Sequence, residues 1–329
     1  MNKGGGAMKK RLCAMLLILL TALLCACASQ KSAPAPTPAP SVQAQTRRIG
    51  YTPGNLNNPF SAEFGAYMQA ACDRMGVALD IRDGENDVAR QISILQTWLR
   101  EGYDAVVCSP LEPTTLQPTI DALMETGVAF INLDSECERK TTYLGVNQYN
   151  YGYAAGKLAA TWIKENLPGQ TVRCALLTKP QSLAVIERAN GIVDGLTENA
   201  PRAEITATRA YSDMESAKQA TLEIFAADPS IRLVVGVADV SILGAYQAIK
   251  ELGLDEGELC LVGEDATSEV LQCIASGTAI RGSVSQSTRV FAQLSVDAAL
   301  SAIEGQPMDE LYMEITPVTP ENVDAFLNG

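Results

Sequence analysis

From Arg47 onward, short β-branched runs alternate with longer segments whose apolar residues return at a helical period, and few architectures accommodate that alternation. The strand-like runs include RRIGYT, VALDI, YDAVVCS, VAFINLD, VRCALLT, RLVVGVA and ELCLVGED. Between them, Phe64, Met68, Cys72 and Met75 fall on one predicted helical face, as do Ala89, Ile92, Leu95 and Leu99. Strand followed by helix, many times over, implies parallel sheets covered by helices on both faces. Turn chemistry marks several joints: Pro53-Gly54-Asn55, Gly127 ahead of VAFINLD, Pro168-Gly169, and Gly253 with Asp255 and Gly257.

In open α/β sheets a ligand binds beyond the carboxyl ends of the strands, so the residues that end each run carry the interest. They are Asn57, Asn58 and Phe60 after the first, Asp134 and Ser135 after VAFINL, Arg188 in the helix after VRCALLT, Asp239 after RLVVGVA, Asp265 after CLVGE and Gln286 after IRGSVS. Ionised Asp accepts two hydroxyl hydrogen bonds, and Asn and Gln offer both a donor and an acceptor. Arg donates in a planar fork, and an aromatic ring covers C–H bonds. That inventory suits a sugar. Asp and Asn at strand ends also serve as helix caps and turn formers, so the set by itself leaves both readings open.

The first 45 residues read differently. Lys3, Lys9, Lys10 and Arg11 precede LCAMLLILLTALLCA, an apolar stretch too short for a comfortable membrane span, and polar chain follows at once. This predicts an export signal over residues 1–26. Leu24-Cys25-Ala26-Cys27 resembles the bacterial lipobox, which implies cleavage before Cys27 and diacylation of its thiol; Cys25 follows the bulky Leu24 and fits that pattern less well. Residues 27–45 alternate Pro and Ala with almost no large apolar side chain, which predicts an extended tether. The expected location is the extracytoplasmic face of the cell membrane, with the lipid anchor as the only membrane contact.

Loss of residues 1–26 removes four cations and no acid, taking the net charge from −13 to −17. Such a surface repels nucleic acid and anionic headgroups alike, so no nucleic-acid partner is expected. The chain has no histidine, which excludes Ser-His and Cys-His catalysis and most zinc sites. Neither G-x-G-x-x-G nor a P-loop occurs, and no cofactor or metal is expected. Six cysteines remain in the folded part (Cys72, Cys108, Cys137, Cys174, Cys260, Cys273), with no C-x-x-C pair. Three of them lie in apolar runs, which predicts buried free thiols.

About 280 residues follow the tether, more than one simple core holds and comfortable for two. Leu56-Asn57-Asn58-Pro59-Phe60, Leu133-Asp134, Glu187-Arg188 with Gly191, Ala238-Asp239 with Leu243-Gly244-Ala245, and Val262-Gly263-Glu264-Asp265 occur in that order. Together they resemble the type I periplasmic binding proteins of the ribose- and galactose-binding class, over residues 47–320. The resemblance implies two doubly wound parallel-sheet α/β lobes joined by a three-strand hinge. The first lobe would hold residues 46–148 and 287–313, and the second 149–286 and 314–329. It further implies that the lobes close over a small neutral sugar or polyol, with delivery to an ABC permease and its cytoplasmic ATPase. Carried over position by position, Asn58, Phe60, Asp134, Arg188, Asp265 and Gln286 match sugar-contacting positions. In the Glu187 and Arg188 tandem only one side chain faces inward.

Departures from the ribose pattern stand beside the matches. Ser61 and Ser212 replace or neighbour aromatics, Ser135 an arginine, and Ala238 an asparagine, while Tyr211 lies one position from Ser212. Asp239 is expected to cap its helix, Tyr149 to pack at the hinge, and Trp98 and Trp162 to pack within helices. Paired Asp134 and Asp265 would admit a glycosidase, but Arg188 is expected to hold both ionised, and no catalytic residue is assigned. A sensory co-receptor using the same pocket is the alternative to transport. Two carboxylates against one arginine predict a neutral ligand.

Overall fold

A computed structural model of the chain describes residues 46–180 and 183–327. The expected signal peptide (residues 1–26), the expected tether (27–45) and Cys27 lie outside the described residues. Among those described, no helix is long and apolar enough to cross a membrane.

Two six-stranded sheets organise the rest. The first combines β1 (Arg48–Thr52), β2 (Ala78–Ile81), β3 (Ala105–Cys108), β4 (Ala129–Leu133), β5 (Thr142–Gly145) and β11 (Leu311–Tyr312) in the order β11-β5-β4-β3-β1-β2. All its pairings are parallel. The second combines β6 (Val172–Thr178), β7 (Ala203–Ala210), β8 (Leu233–Gly236), β9 (Cys260–Val262), β10 (Ile280–Ser285) and β12 (Thr316–Val318) in the order β12-β10-β9-β8-β6-β7. Only β12 runs antiparallel. The strand order reverses beside β1 in one sheet and β6 in the other, which opens a crevice at the carboxyl ends of each.

Helices α1 (Pro59–Met75), α2 (Val88–Glu101), α3 (Pro113–Glu125) and α9 (Thr288–Ile303) cover the first sheet. Helices α4 (Gln148–Asn166), α5 (Leu183–Asn199), α6 (Met214–Ala227), α7 (Asp239–Leu252), α8 (Ser268–Ala275) and α10 (Val323–Leu327) belong with the second. The chain passes between sheets three times, after Gly145, after Ser285 and after Tyr312, so the molecule is two α/β lobes. The second lobe has one continuous apolar core, whereas the first has a cluster on each face of its sheet.

Two expected helical faces need correction. In α1 Phe64, Met68 and Cys72 are buried but Met75, the last residue before the αL Gly76, is 47% exposed. In α2 the buried face is Gln91, Ile94, Leu95 and Trp98, while Ala89 is exposed. The reason is that Gln91 is spent on the chain after β3: its Nε2 donates to Ser109 O and its Oε1 accepts from Leu111 N, each at 3.0 Å. Trp98 packs as expected, with its indole N–H donating to Asp80. All six cysteines of the folded part are free, and all but Cys273 are buried.

Candidate functional site

Between the lobes lies a cleft of about 220 Å³, below the roughly 300–1,000 Å³ of sites for drug-sized molecules. Asn58, Phe60, Asp134, Arg188, Asp265 and Gln286 all line it.

On the first-lobe wall, local backbone chemistry places the side chains. Asn58 caps α1 by accepting from Phe60 N at 3.0 Å, so it is a helix cap and a cleft residue at once. Phe60 stands at the helix start with its ring 5.8 Å from that of Phe64. Asp134 leaves β4 in the left-handed region, φ 57°, which short polar side chains tolerate. Its backbone carbonyl accepts from the Tyr143 hydroxyl, and its N–H donates to Leu144 O. Burial pushes the Asp134 carboxyl up, while Arg188 and a hydrogen bond from Ser109 pull it back.

The second-lobe wall is a buried network around Arg188. Its Nε and Nη2 donate to Gln148 Oε1 at 2.8 and 2.6 Å, and its Nη1 donates to Val237 O at 2.8 Å. Glu264, fully buried, brings Oε2 to 3.2 Å from Arg188 Nε. Glu187, the other half of the tandem, is exposed. The meeting of Arg188 with Gln148 depends on α4 and α5 touching backbone to backbone. A Cβ at Gly152 would collide with the Arg188 carbonyl oxygen, and one at Gly191 with that of Tyr149.

Asp265 follows β9 with φ 113° and Gln286 follows β10; both are buried. Burial pushes the Asp265 carboxyl up to about 7 against the pull of Arg188, and Asp134 adds to the rise. Burial likewise pushes Glu264 well above the carboxylate range. For Asp265 this corrects the expectation that it is held fully ionised by Arg188. Its guanidinium is already engaged by Gln148, Val237 and Glu264, so desolvation dominates.

Asp239 also departs from its expected role. It neither caps its helix, whose N-cap is Ala238, nor lines the cleft. Instead its carboxylate accepts from Thr267 N, Thr267 Oγ1 and Ser283 Oγ at 2.7, 3.0 and 2.8 Å, tying together three segments beneath Asp265. Of the two tyrosines, Tyr211 lines the cleft and restores the ring that Ser212 lacks. Tyr149 is exposed and donates to Asp194 on the outer surface.

Three residues that the sequence reading did not single out complete the site. Gln148 and Glu264 hold Arg188, and Lys179, just after β6, lines the cleft with its ammonium 5.0 Å from the Tyr211 ring centre. Burial lowers the Lys179 pKa against the pull of Asp265 and Asp213. Asp134, Asp213 and Asp265 against Lys179 and Arg188 still leave one excess acid in the lining, and partial protonation of Asp265 near neutral pH reduces it.

A family profile described as a periplasmic binding protein domain matches residues 49–307. The ribose import binding protein of Bacillus subtilis (strain 168) is 23% identical over 264 residues, covering 80% of this chain and 83% of that one. The xylitol-binding protein of Mycolicibacterium smegmatis is 26% identical over 287 residues, 86% and 80% of the two chains. Among solved structures, the Caulobacter myo-inositol binding protein bound to myo-inositol superposes with a TM-score of 0.77 at 23% identity, over 87% of this chain and 98% of that one. These relatives are binding proteins, not enzymes.

Proposed function

The chain belongs to the periplasmic binding protein domain family, and from that premise we propose that it captures a neutral monosaccharide or polyol outside the cytoplasm and delivers it to an ABC importer. The observation that carries this reading is the meeting of Asp134, Asp265, Arg188, Asn58 and Gln286 with the rings of Phe60 and Tyr211 around one small cleft. Carboxylates and amides match vicinal hydroxyls, and the rings match a C–H face. A space of about 220 Å³ suits one ring. The near-balance of charge in the lining argues against a strongly charged ligand, because every ligand charge would need a partner that the cleft already uses. Relatives named for ribose import and for xylitol binding support the same class.

The test is calorimetry of the folded part against D-ribose, xylitol and myo-inositol, beside a sugar phosphate and a sugar acid. Binding of at least one neutral compound is expected, with anions weaker. Tight binding of an anion with none of the neutral compounds would overturn the reading. A thermal-shift screen widens the panel, since ligand at 100 times its Kd adds about 2.7 kcal/mol to the folded state.

The anchor belongs to the same proposal. With no helix among the described residues fit to span a membrane, a diacylated Cys27 would hold the protein beside its permease, two acyl chains sufficing where one is marginal. A Cys27→Ser variant is expected to lose fatty-acid labelling and to remain uncleaved; unchanged labelling would remove the anchor from the scheme.

A further inference from the structure

Gln148 is the first residue of α4, immediately after the chain enters the second lobe, and its side chain is 6% exposed. Its Oε1 accepts two hydrogen bonds from Arg188. Arginine can only donate, so reversing the amide would set an NH₂ group against two guanidinium N–H groups. The chemistry of Arg188 therefore fixes which end of the amide is which. The other end, Nε2, is buried, and among the described residues it has no hydrogen-bond partner. A buried donor left unpaired is costly, and this side chain lines the cleft beside Asp134.

We propose that Gln148 reads the ligand directly, its amide nitrogen donating to a ligand oxygen while its carbonyl end holds Arg188. Gln286 supplies the complement at the other end of the second lobe's chain path. It sits where the chain leaves that lobe, and its Oε1 is a buried acceptor with no hydrogen-bond partner among the described residues. The hinge end of the cleft thus presents one amide donor and one amide acceptor. Ligand hydroxyls suit both, since a hydroxyl accepts and donates. A methyl or methylene facing either amide would leave that amide unpaired. The inference rests on the neutral-polyol reading above and adds to it which group discriminates.

The experiment compares wild type with Gln148→Glu and Gln148→Met, using D-ribose, xylitol and myo-inositol as probes, then deoxy analogues of the tightest binder. Gln148→Glu keeps an acceptor for Arg188 and loses the amide donor. If Gln148 reads the ligand, Gln148→Glu is expected to weaken the tightest probe about tenfold or more, the scale of one unmade hydrogen bond at a buried site. Gln148→Met should weaken it at least as much. In addition, one deoxy analogue should be penalised in wild type and much less so in Gln148→Glu, a coupling that a purely positioning role would not produce. Should Gln148→Glu fail to fold, Gln148→Asn, which keeps both groups but shortens their reach, carries the same comparison. Wild-type affinity in Gln148→Glu, or equal deoxy penalties in both proteins, would overturn the proposal alone. A wild type that binds none of the three probes would overturn the neutral-polyol reading and this inference together.

Discussion

The two walls of the cleft are built on different principles. On the first lobe, Asn58, Phe60 and Asp134 are partly exposed, and each owes its place to local chemistry: a helix cap, a first-turn ring, a left-handed residue after a strand. On the second, Arg188, Glu264, Asp265, Gln148 and Gln286 are buried, and Gln148 and Glu264 hold Arg188 across long sequence separations. The first wall's residues are each placed by their own local backbone; the second is a preassembled network in which the guanidinium is fixed before any ligand arrives. Affinity and stability are therefore coupled on one side of the cleft and separable on the other.

The largest expected break in that comparison is Arg188→Leu. It strands the fully buried Glu264, the Gln148 carbonyl and Val237 O. Removing one partner of a buried pair costs about 3–5 kcal/mol, with the low end expected here because Glu264 takes up a proton readily. Asp134→Asn on the opposite wall keeps a residue that tolerates φ 57°, and it should change stability by less than about 1 kcal/mol. Binding should suffer in both. Urea unfolding midpoints decide the matter: equal losses of stability would mean that the walls are not built differently.

Asp265 comes next, and its effect runs through pH. Its folded carboxyl lies at about 7 because burial opposes ionisation, while unfolded chain ionises in the ordinary carboxylate range. A raised folded value contributes stability that is fully present below that ordinary range and lost as pH rises through about 7. Relative to Asp265→Asn, the ligand-free wild type should therefore lose about 2 kcal/mol between pH 5 and 7. Thermal melts of the pair across that window check the sign. At neutral pH the same variant should bind the sugar about 1.5–3 kcal/mol more weakly, if ligand hydroxyls donate to the carboxylate. A variant that tracks wild type at every pH would place Asp265 in a solvated setting.

Much of this was legible in the sequence, and what was not has a physical cause. Each strand-like run forms a strand, and the interior ones read as continuous apolar stretches because parallel strands there are buried on both faces. Edge strand β7 escaped because it carries alternating exposed residues, β11 and β12 because they are two and three residues long, and β5, though buried, because its four residues TYLG make no apolar run. Strand ends, where α/β sheets put ligands, pointed to a wider set, and the resemblance to type I binding proteins narrowed it to the six residues that line the cleft. Gln148 follows the N-cap Asn147, and only the close contact of α4 with α5 brings it to its partner, 40 residues on in the chain. Glu264 stood in plain view within Val262-Gly263-Glu264-Asp265. Alternation along the strand end turns Asp265 to the cleft and Glu264 away from it, but nothing local shows that Arg188 waits behind. Pairings between elements far apart in the chain are what a linear pattern carries least.

The smallest predicted effect concerns the one hydrogen bond that the described residues make across the cleft rim, away from the hinge. Helix α8 begins at Ser268, and its N-cap Thr267 makes no capping hydrogen bond, because its hydroxyl is spent on Asp239. The first N–H groups of a helix need acceptors and attract negative charge. That at Ser268 finds Glu63 Oε1 at 2.9 Å, supplied by α1 of the opposite lobe. A cap borrowed from the other lobe exists only when the lobes are closed, so it favours closure without touching the cleft lining. Glu63→Ala should therefore raise the open population, and Glu63→Gln, which keeps an acceptor but loses the charge, should do so by less. An exposed bond of this kind is worth about 0.5–1 kcal/mol, a two- to fivefold faster sugar release with little change in association. Stopped-flow release rates for the three proteins, with small-angle scattering of each in the presence and absence of sugar, measure it. A release rate unchanged in Glu63→Ala would show that closure is set by the ligand and the second wall alone, which would sharpen the contrast between the walls.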